Sequence, residues 1–192
     1  MSLRPFSRLG ARLLSIFLLA GCAHDSTAPL EPTAIPPKPS SALLGLLPVR
    51  GVTRATPLAK DIAVSAVIGK KGGTITIPEA GLTLVVPAGA VSSDVQFTAT
   101  ALAGKLVAYD FQPHGTKFAV PLQFSQDLRK TSLLATLTSP LLDGAYFTDP
   151  SKLNQTTGFA LVSELRSATV DLLRFRASFP IDHFSGYLIS WH

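Results

Sequence analysis

Histidines and acidic residues are the side chains from which this sequence could build a reactive site. The histidines are His24, His114, His183 and His192. No two of them have the His-x-x-x-His spacing that brings two ligands to one ion, so we expect no metal site. The acidic residues form no calcium loop, and no glycine-rich segment ends in the Lys-Ser/Thr of a phosphate loop. We therefore expect no cofactor, and Gly115 beside His114 predicts a turn there.

The only cysteine, Cys22, occupies a position that gives its thiol a specific chemistry. Three arginines and no acid precede an apolar run at residues 13–20, the pattern of a secretory signal. The run is shorter than the roughly 20 residues of a membrane-spanning helix. It ends in Leu-Ala-Gly-Cys, which resembles the bacterial lipobox.

The lipobox resemblance implies cleavage between Gly21 and Cys22, a signal peptide at residues 1–21, and lipid on the Cys22 thiol. Two acyl chains give stable anchoring where one does not, so the membrane is an expected partner. Ala23 stands where Asp commonly retains bacterial lipoproteins in the inner membrane. We therefore expect a lipid-anchored protein of the cell envelope, in the outer rather than the inner membrane. The alternative is an ordinary secretory signal with an incidental cysteine.

The charge of the chain points away from nucleic acid. The sequence has 17 Lys and Arg against 12 Asp and Glu, and three of the cations lie in the first 12 residues. Beyond the signal peptide the chain is nearly neutral, and no basic stripe interleaved with aromatic residues is present. We expect no nucleic-acid partner.

Residues 22–60 are rich in proline, with Ser, Thr and Ala between, which predicts an extended and semi-rigid tether after the lipidated cysteine. From Asp61 the pattern becomes β, and we expect one domain over residues 61–192. Residues 72–91, GGTITIPEAGLTLVVPAGAV, predict two short strands joined by a turn, because β-branched runs are bounded by Gly and Pro.

Further short strands follow, with alternating apolar and polar residues at 95–101 and 118–124. Pro121 predicts an edge strand or a bulge, since proline cannot donate to a sheet ladder. No long amphipathic helix is evident. The fold class is therefore all-β, as an antiparallel β-sandwich or a partly open barrel.

Three segments resemble the ZU-type domain, first described in zonula occludens proteins and netrin receptors and found also in ankyrins. They are GGTITIPEAGLTLVVPAGA from Gly72, YDFQPHGTKFAVPLQF from Tyr109 and HFSGY from His183. The resemblance covers roughly residues 62–192. It implies a non-enzymatic interaction or scaffolding module, and hence an unidentified protein partner.

The tripeptide His183-Phe184-Ser185 carries an alternative that also comes from the resemblance. Some ZU-type domains cut themselves between Phe and Ser at this tripeptide. By that resemblance Ser185 is the nucleophile, His183 the proton acceptor and Phe184 the residue with the scissile carbonyl. Otherwise residues 183–191 are the closing strand, with Tyr187, Ile189 and Trp191 on one buried face.

A second alternative is a carbohydrate-binding module at the cell surface. It requires an exposed aromatic platform, for which Tyr109, Tyr146 and Trp191 are the candidates. Burial of all three side chains would remove this alternative.

Overall fold

The computed structural model describes residues 45–135 and 141–191. All of these lie in one compact unit, Pro39–His192. The predicted signal peptide, Gly21, Cys22 and most of the predicted tether fall outside the described residues.

Fifteen strands are present in the described residues, and most are short because Gly and Pro interrupt the apolar runs. The first eight are β1 (Leu47–Gly51), β2 (Thr53–Leu58), β3 (Ile62–Ile68), β4 (Gly73–Ile77), β5 (Leu82–Val86), β6 (Val95–Ala101), β7 (Gly104–Leu106) and β8 (Ala108–Gln112). The other seven are β9 (Lys117–Asp127), β10 (Leu142–Phe147), β11 (Phe159–Val162), β12 (Glu164–Ser167), β13 (Thr169–Asp171), β14 (Arg176–His183) and β15 (Gly186–Trp191). Short 3-10 turns lie at Leu128–Lys130, Ser132–Ala135 and Pro150–Lys152.

The predicted all-β class is confirmed, and the antiparallel sheets do not close into a barrel. One sheet of eight strands has the order β11-β1-β15-β8-β6-β3, with β10 also paired to β15 and β12 paired to β10. A second sheet has the order β13-β14-β9-β5-β4. Phe179 of the second sheet packs its ring against Tyr187 of the first, so the two sheets face each other as a β-sandwich.

Two apolar clusters stabilise the fold. The larger lies between the two sheets and is built around buried aromatic rings such as Phe97, Phe111 and Phe124. The smaller includes Leu106, Phe147, Ala160, Val162 and Leu188, and the β1–β11 pair covers it. Every residue of β15 from Gly186 to Ser190 is therefore buried on both faces of its sheet.

The predicted start of the β-structure at Asp61 is wrong. β1 pairs with β11 and β15, and β2 pairs with β7, so residues 47–58 belong to the sheets rather than to a tether. Pro48 is tolerated because it lies near the start of a short strand, where β11 is the one neighbour among the described strands and β15 does not yet pair with β1. Composition alone suggested a linker because Pro48 and Pro57 continue the proline-rich stretch before them.

The bulge predicted at Pro121 is present. β9 is an inner strand that pairs with β14 on one side and β5 on the other. The register with β14 shifts between Ile181, opposite Leu122, and His183, opposite Lys117. The extra residues on β9 include Pro121, which accommodates the missing donor in an inner strand.

Candidate functional site

The His183-Phe184-Ser185 tripeptide forms the connection between two strands of different sheets. His183 ends β14, and Gly186 begins β15, so Phe184 and Ser185 are the two linking residues. We call these three residues the junction. Both linking residues are buried, which is unusual for a connection between strands.

Phe184 is buried because its ring fills the centre of an aromatic cluster. Its centroid lies 4.8 Å from that of Phe97 and 4.8 Å from that of Phe118, both edge to face. It stacks on Phe111 at 5.5 Å. Each of these ring pairs stabilises the fold beyond the burial of apolar surface alone. The Phe184 side chain therefore fixes the connection against strands β6, β8 and β9.

The backbone of the junction is held by hydrogen bonds to the β8–β9 loop. The Phe184 amide donates to the carbonyl of Thr116 at 2.9 Å, and the Gly115 amide donates to the carbonyl of Phe184 at 3.0 Å. The Phe111 amide donates to the carbonyl of Ser185 at 3.0 Å. The Phe184 amide and the carbonyls of Phe184 and Ser185 are therefore satisfied, as a stable buried loop requires.

The side chains of Ser185 and His183 have separate partners. Ser185 is 6% exposed, and its hydroxyl donates to the carbonyl of Phe147 at 3.3 Å. The His183 ring places Nδ1 3.5 Å from the Tyr187 hydroxyl and Nε2 3.6 Å from a carboxylate oxygen of Glu164. Within the described residues, no hydrogen bond joins the Ser185 hydroxyl to the His183 imidazole. A proton transfer between them would require the hydroxyl to leave Phe147 first.

A charged network lies beside the imidazole. Arg166 pairs with Glu164 at 2.6 Å and with Asp182 at 2.7 Å. The Tyr187 hydroxyl donates to the carbonyl of His183 at 3.0 Å. Burial raises the pKa of Tyr187, and the nearby Glu164 carboxylate raises it further. The network holds His183 as part of a half-buried ion-pair cluster.

A second surface with distinctive side chains lies on the β1–β11 pair and the end of β15. The pairing places Arg50 opposite both Phe159 and Trp191, and Pro48 opposite Leu161. The Arg50 guanidinium carbon lies 4.9 Å from the centre of the Trp191 ring. Trp191 is 37% exposed, Phe159 51% and Leu161 41%. We call these five residues the ribbon surface.

A surface cavity of about 400 Å³ adjoins the ribbon surface. Pro48, Phe159 and Leu161 line it, together with Lys152, Asn154 and Thr157 from the 3-10 turn and loop before β11. An apolar surface beside a cavity with polar walls is a typical site for a side chain of a partner.

Some predicted site residues are placed by the structure and others are not. His24, His192 and Cys22 lie outside the described residues, and His114 lies in a turn, 2.8 Å from Asp110. Of the aromatic candidates for a carbohydrate platform, Tyr109 is fully buried, Tyr146 is half-buried and Trp191 is exposed. The predicted burial of Tyr187 is confirmed, but that of Trp191 is wrong, because β15 ends beyond the core.

The ribbon surface was missed from the sequence. The sequence of β11 contained a signal, because the exposed Phe159 and Leu161 alternate with the buried Ala160 and Val162. A four-residue strand in which both alternating positions are apolar does not show which face is exposed. The pairing with Arg50 and Pro48 shows that Phe159 and Leu161 belong to the exposed face.

Comparison with known families identifies one segment. Residues 64–105 match the ZU5 domain. The match spans β3 to β7, which includes the paired strands β4 and β5 that carried the resemblance in the sequence. ZU5 domains are of the protein-interaction and scaffolding type. No curated protein matches the chain.

Two other functional features are absent from the parts of the chain that the structure describes. Residues 45–135 and 141–191 contain no group of three His, Cys, Asp or Glu side chains that could hold a metal ion. The same residues contain no helix long and apolar enough to cross a membrane.

Proposed function

We propose that this chain is a lipid-anchored protein of the bacterial cell envelope whose β-domain binds a protein partner without enzymatic activity. The ZU5 match over residues 64–105 supports the interaction role. The observation that carries the proposal is the ribbon surface, where Arg50, Phe159 and Trp191 are presented together.

The composition of the ribbon surface is that of a binding hot spot. Trp and Arg are enriched among residues that dominate the energy of interfaces, and the surrounding apolar residues exclude water from them. Arg50 covers one face of the Trp191 ring, and a cation over an indole ring is held in place before a partner arrives. The loss of side-chain freedom on binding is correspondingly small.

The anchoring part of the proposal rests on the sequence around Cys22. A positive segment, a short apolar run and Leu-Ala-Gly-Cys stand in the order of a lipoprotein signal. The segment between Cys22 and β1 is rich in proline, and extended chain of that kind covers about 3 Å per residue. We infer that such a segment holds the β-domain away from the bilayer. The absence of Asp at position 23 favours anchoring in the outer membrane.

Intact mass under denaturing conditions tests the anchor. The full chain is purified from membranes of a bacterial host beside a Cys22→Ala variant. We expect residues 22–192 plus acyl chains, and retention of the whole signal peptide without acyl chains in the variant. A wild-type mass without acyl chains would contradict lipid anchoring and leave the binding role to be tested alone.

Native chromatography of gently solubilised membranes tests the binding role. We expect the wild-type chain in a complex larger than the monomer, and Phe159→Asp in a smaller species. Val67→Asp is the matched control, because Val67 is exposed on β3, away from the ribbon surface. Equal elution of all three proteins would contradict binding through the ribbon surface.

Self-cleavage between Phe184 and Ser185 is the second candidate. Two observations favour it: the Gly115 amide already donates to the carbonyl under attack, and β15 is paired to β10 along its whole length. A cut chain would therefore keep its last strand in place. Under denaturing conditions the measured mass would then be that of a chain ending at Phe184. Under native conditions the mass would still include the last strand, and Ser185→Ala would restore the intact chain.

A further inference from the structure

The outward face of the five-stranded sheet carries a row of hydroxyl groups that crosses every strand. The register aligns one Ser or Thr from each strand, and the neighbouring pairs are Thr76 with Thr83, Thr83 with Ser125, Ser125 with Ser178, and Ser178 with Thr169. The Ser178 hydroxyl donates to that of Ser125 at 3.1 Å. Such a row offers donors and acceptors at the spacing of adjacent strands, about 4.8 Å.

One end of this row opens into a groove of about 390 Å³. Its walls include Thr76, Thr83, Gly81 and the two cations Lys130 and Arg176. Gly81 has φ of +79°, and a side chain there would meet Gln126 and Lys130. The absence of a side chain at this position therefore keeps the floor of the groove open.

The charges around the groove do not balance. Asp127 is its one acidic wall residue, and Arg129 binds that carboxylate through Nε at 2.9 Å and Nη2 at 2.9 Å. Hydrogen bonds from the Arg129 side chain hold the pKa of Asp127 below its usual range, so the carboxylate is charged and already paired. Among the described residues, no salt bridge involves Lys130 or Arg176. Arg176 lies near enough to Asp127 to help lower the pKa of that carboxyl, and its one side-chain hydrogen bond to the described residues goes to the Ser125 hydroxyl, at 3.3 Å.

A further cation is buried behind the groove floor. Arg54 is 5% exposed and donates to the carbonyls of Ala80 and Ala108, at 3.1 and 3.3 Å. Its Nε has no hydrogen-bond partner, and none of the described carboxylates forms a salt bridge with it. Gln126 links this buried cation to the groove, since its amide donates to the carbonyls of both Ala80 and Asp127.

Burying a guanidinium without a carboxylate is costly, and the Tyr109 ring, whose centre lies 5.2 Å from the Arg54 guanidinium carbon, offsets only part of that cost. The Ala80 carbonyl that Arg54 binds is next to Gly81 in the groove wall, so this positive charge adds to those of Lys130 and Arg176. The hydroxyl row and the unbalanced cations meet at one place, next to Thr83 and Ser125.

We propose that this groove binds a small hydroxylated molecule that carries one carboxylate or phosphate group, such as a sugar acid or a sugar phosphate. Arg176 binds the anionic group with its planar donors, and Lys130 adds a point charge. Thr76 and Thr83 bond to the hydroxyl groups of the ligand. The groove has the volume of a site for a molecule of this size. The proposal is independent of the ribbon surface, which lies on the other sheet.

Calorimetric titration of the full chain tests the proposal with four probes: glucose 6-phosphate, glucuronate, inorganic phosphate and glucose. We expect at least one of the two anionic sugars to bind more tightly than both inorganic phosphate and glucose. Arg176→Gln and Lys130→Gln should each weaken that binding about tenfold, the loss expected of one charged contact. Lys117→Gln is the matched control on the opposite end of β9 and should leave the affinity within about twofold.

The proposal is overturned if neither anionic sugar binds, or if glucose or inorganic phosphate binds as tightly as the better of them. It is also overturned if Lys117→Gln weakens binding as much as Arg176→Gln. Thr83→Val separates the hydroxyl contribution, because it removes one hydroxyl from a half-buried position and keeps the shape of the side chain. We expect this variant to bind the anionic sugar more weakly and to bind inorganic phosphate with unchanged affinity.

Discussion

The junction and the ribbon surface both combine aromatic rings with polar side chains, yet the fold uses them in opposite ways. At the junction, Phe184 and Ser185 are buried, and every polar group described there has a partner inside the protein. On the ribbon surface, Arg50, Phe159 and Trp191 are exposed. The difference comes from position in the sheet. The junction leads into the buried start of β15, whereas the ribbon surface lies where β11 ends the sheet order and β15 ends beyond the core.

This contrast shows that residue type alone does not identify the functional region. A His-Phe-Ser tripeptide has the side chains of a nucleophilic site. In this fold the same side chains are packed between the two sheets. The exposed aromatic and cationic side chains lie instead on the β1–β11 pair and the end of β15. We therefore expect substitutions at the junction to change stability and substitutions on the ribbon surface to change binding.

The largest expected difference is between two phenylalanines. Phe184→Ala removes a ring that contacts three other aromatic rings, and we expect it to lower the free energy of unfolding by about 3–5 kcal/mol. Phe159→Ala removes a half-exposed ring, and we expect a loss below about 1 kcal/mol. Urea denaturation of both variants measures the difference. Similar losses for the two would contradict the assignment of these roles.

The next effect is a dependence on pH that belongs to the junction network. Burial raises the pKa of Tyr187, so the folded protein keeps the phenol protonated where the unfolded chain ionises, near about pH 10. Because the unfolded state then binds fewer protons, stability is complete below pH 10 and falls as the pH rises above it, by up to about 1.4 kcal/mol per pH unit.

Tyr187→Phe isolates this contribution. At neutral pH the variant should lose about 1 kcal/mol, because the hydrogen bond from the hydroxyl to the carbonyl of His183 is removed. Above pH 10 its stability should fall less steeply than that of the wild type. Parallel curves for the two proteins would show that Tyr187 ionises as freely in the folded state as in the unfolded one.

A smaller effect is expected at Ser185. Ser185→Ala removes one buried hydrogen bond, to the carbonyl of Phe147, and should cost about 1 kcal/mol. The exposed Ser163, on the connection between β11 and β12, is the matched control, and Ser163→Ala should have almost no effect. If the wild-type chain instead ends at Phe184 and Ser185→Ala restores residues 185–192, Ser185 acts as a nucleophile, and the junction is a reactive site rather than a structural one.

The smallest effect on stability is expected at Arg50. Arg50→Ala should change the free energy of unfolding by less than about 0.5 kcal/mol, since both partners of the Arg50–Trp191 contact are exposed. It should increase quenching of Trp191 fluorescence by acrylamide, because the guanidinium covers one face of the ring. Unchanged quenching would show that the contact is not formed in solution.

Local pattern was sufficient to predict the strands that form hairpins. β4 and β5 lie where β-branched runs and Pro-Gly turns placed them, and their residues pair in register from Gly73 with Val86 to Ile77 with Leu82. Pairing between neighbouring strands depends on nearby residues, so sequence pattern carries it.

Long-range pairing is what the sequence could not reveal. β1 follows a proline-rich stretch and finds its partners more than a hundred residues later, in β11 and β15. The groove on the second sheet likewise joins Thr76 and Lys130 with Arg176. Periodicity shows that a strand has an apolar face, and it does not show which distant strand will cover that face.

Photo-crosslinking in living cells tests the central claim most directly. A photoreactive phenylalanine analogue replaces Phe159 in one chain and the exposed Val67 in a control chain. We expect a discrete crosslinked species at position 159 that disappears with Arg50→Glu, and none of that size at position 67. A crosslink at position 67 with none at 159, or a crosslink at 159 unaffected by Arg50→Glu, would contradict the ribbon surface as the site of binding.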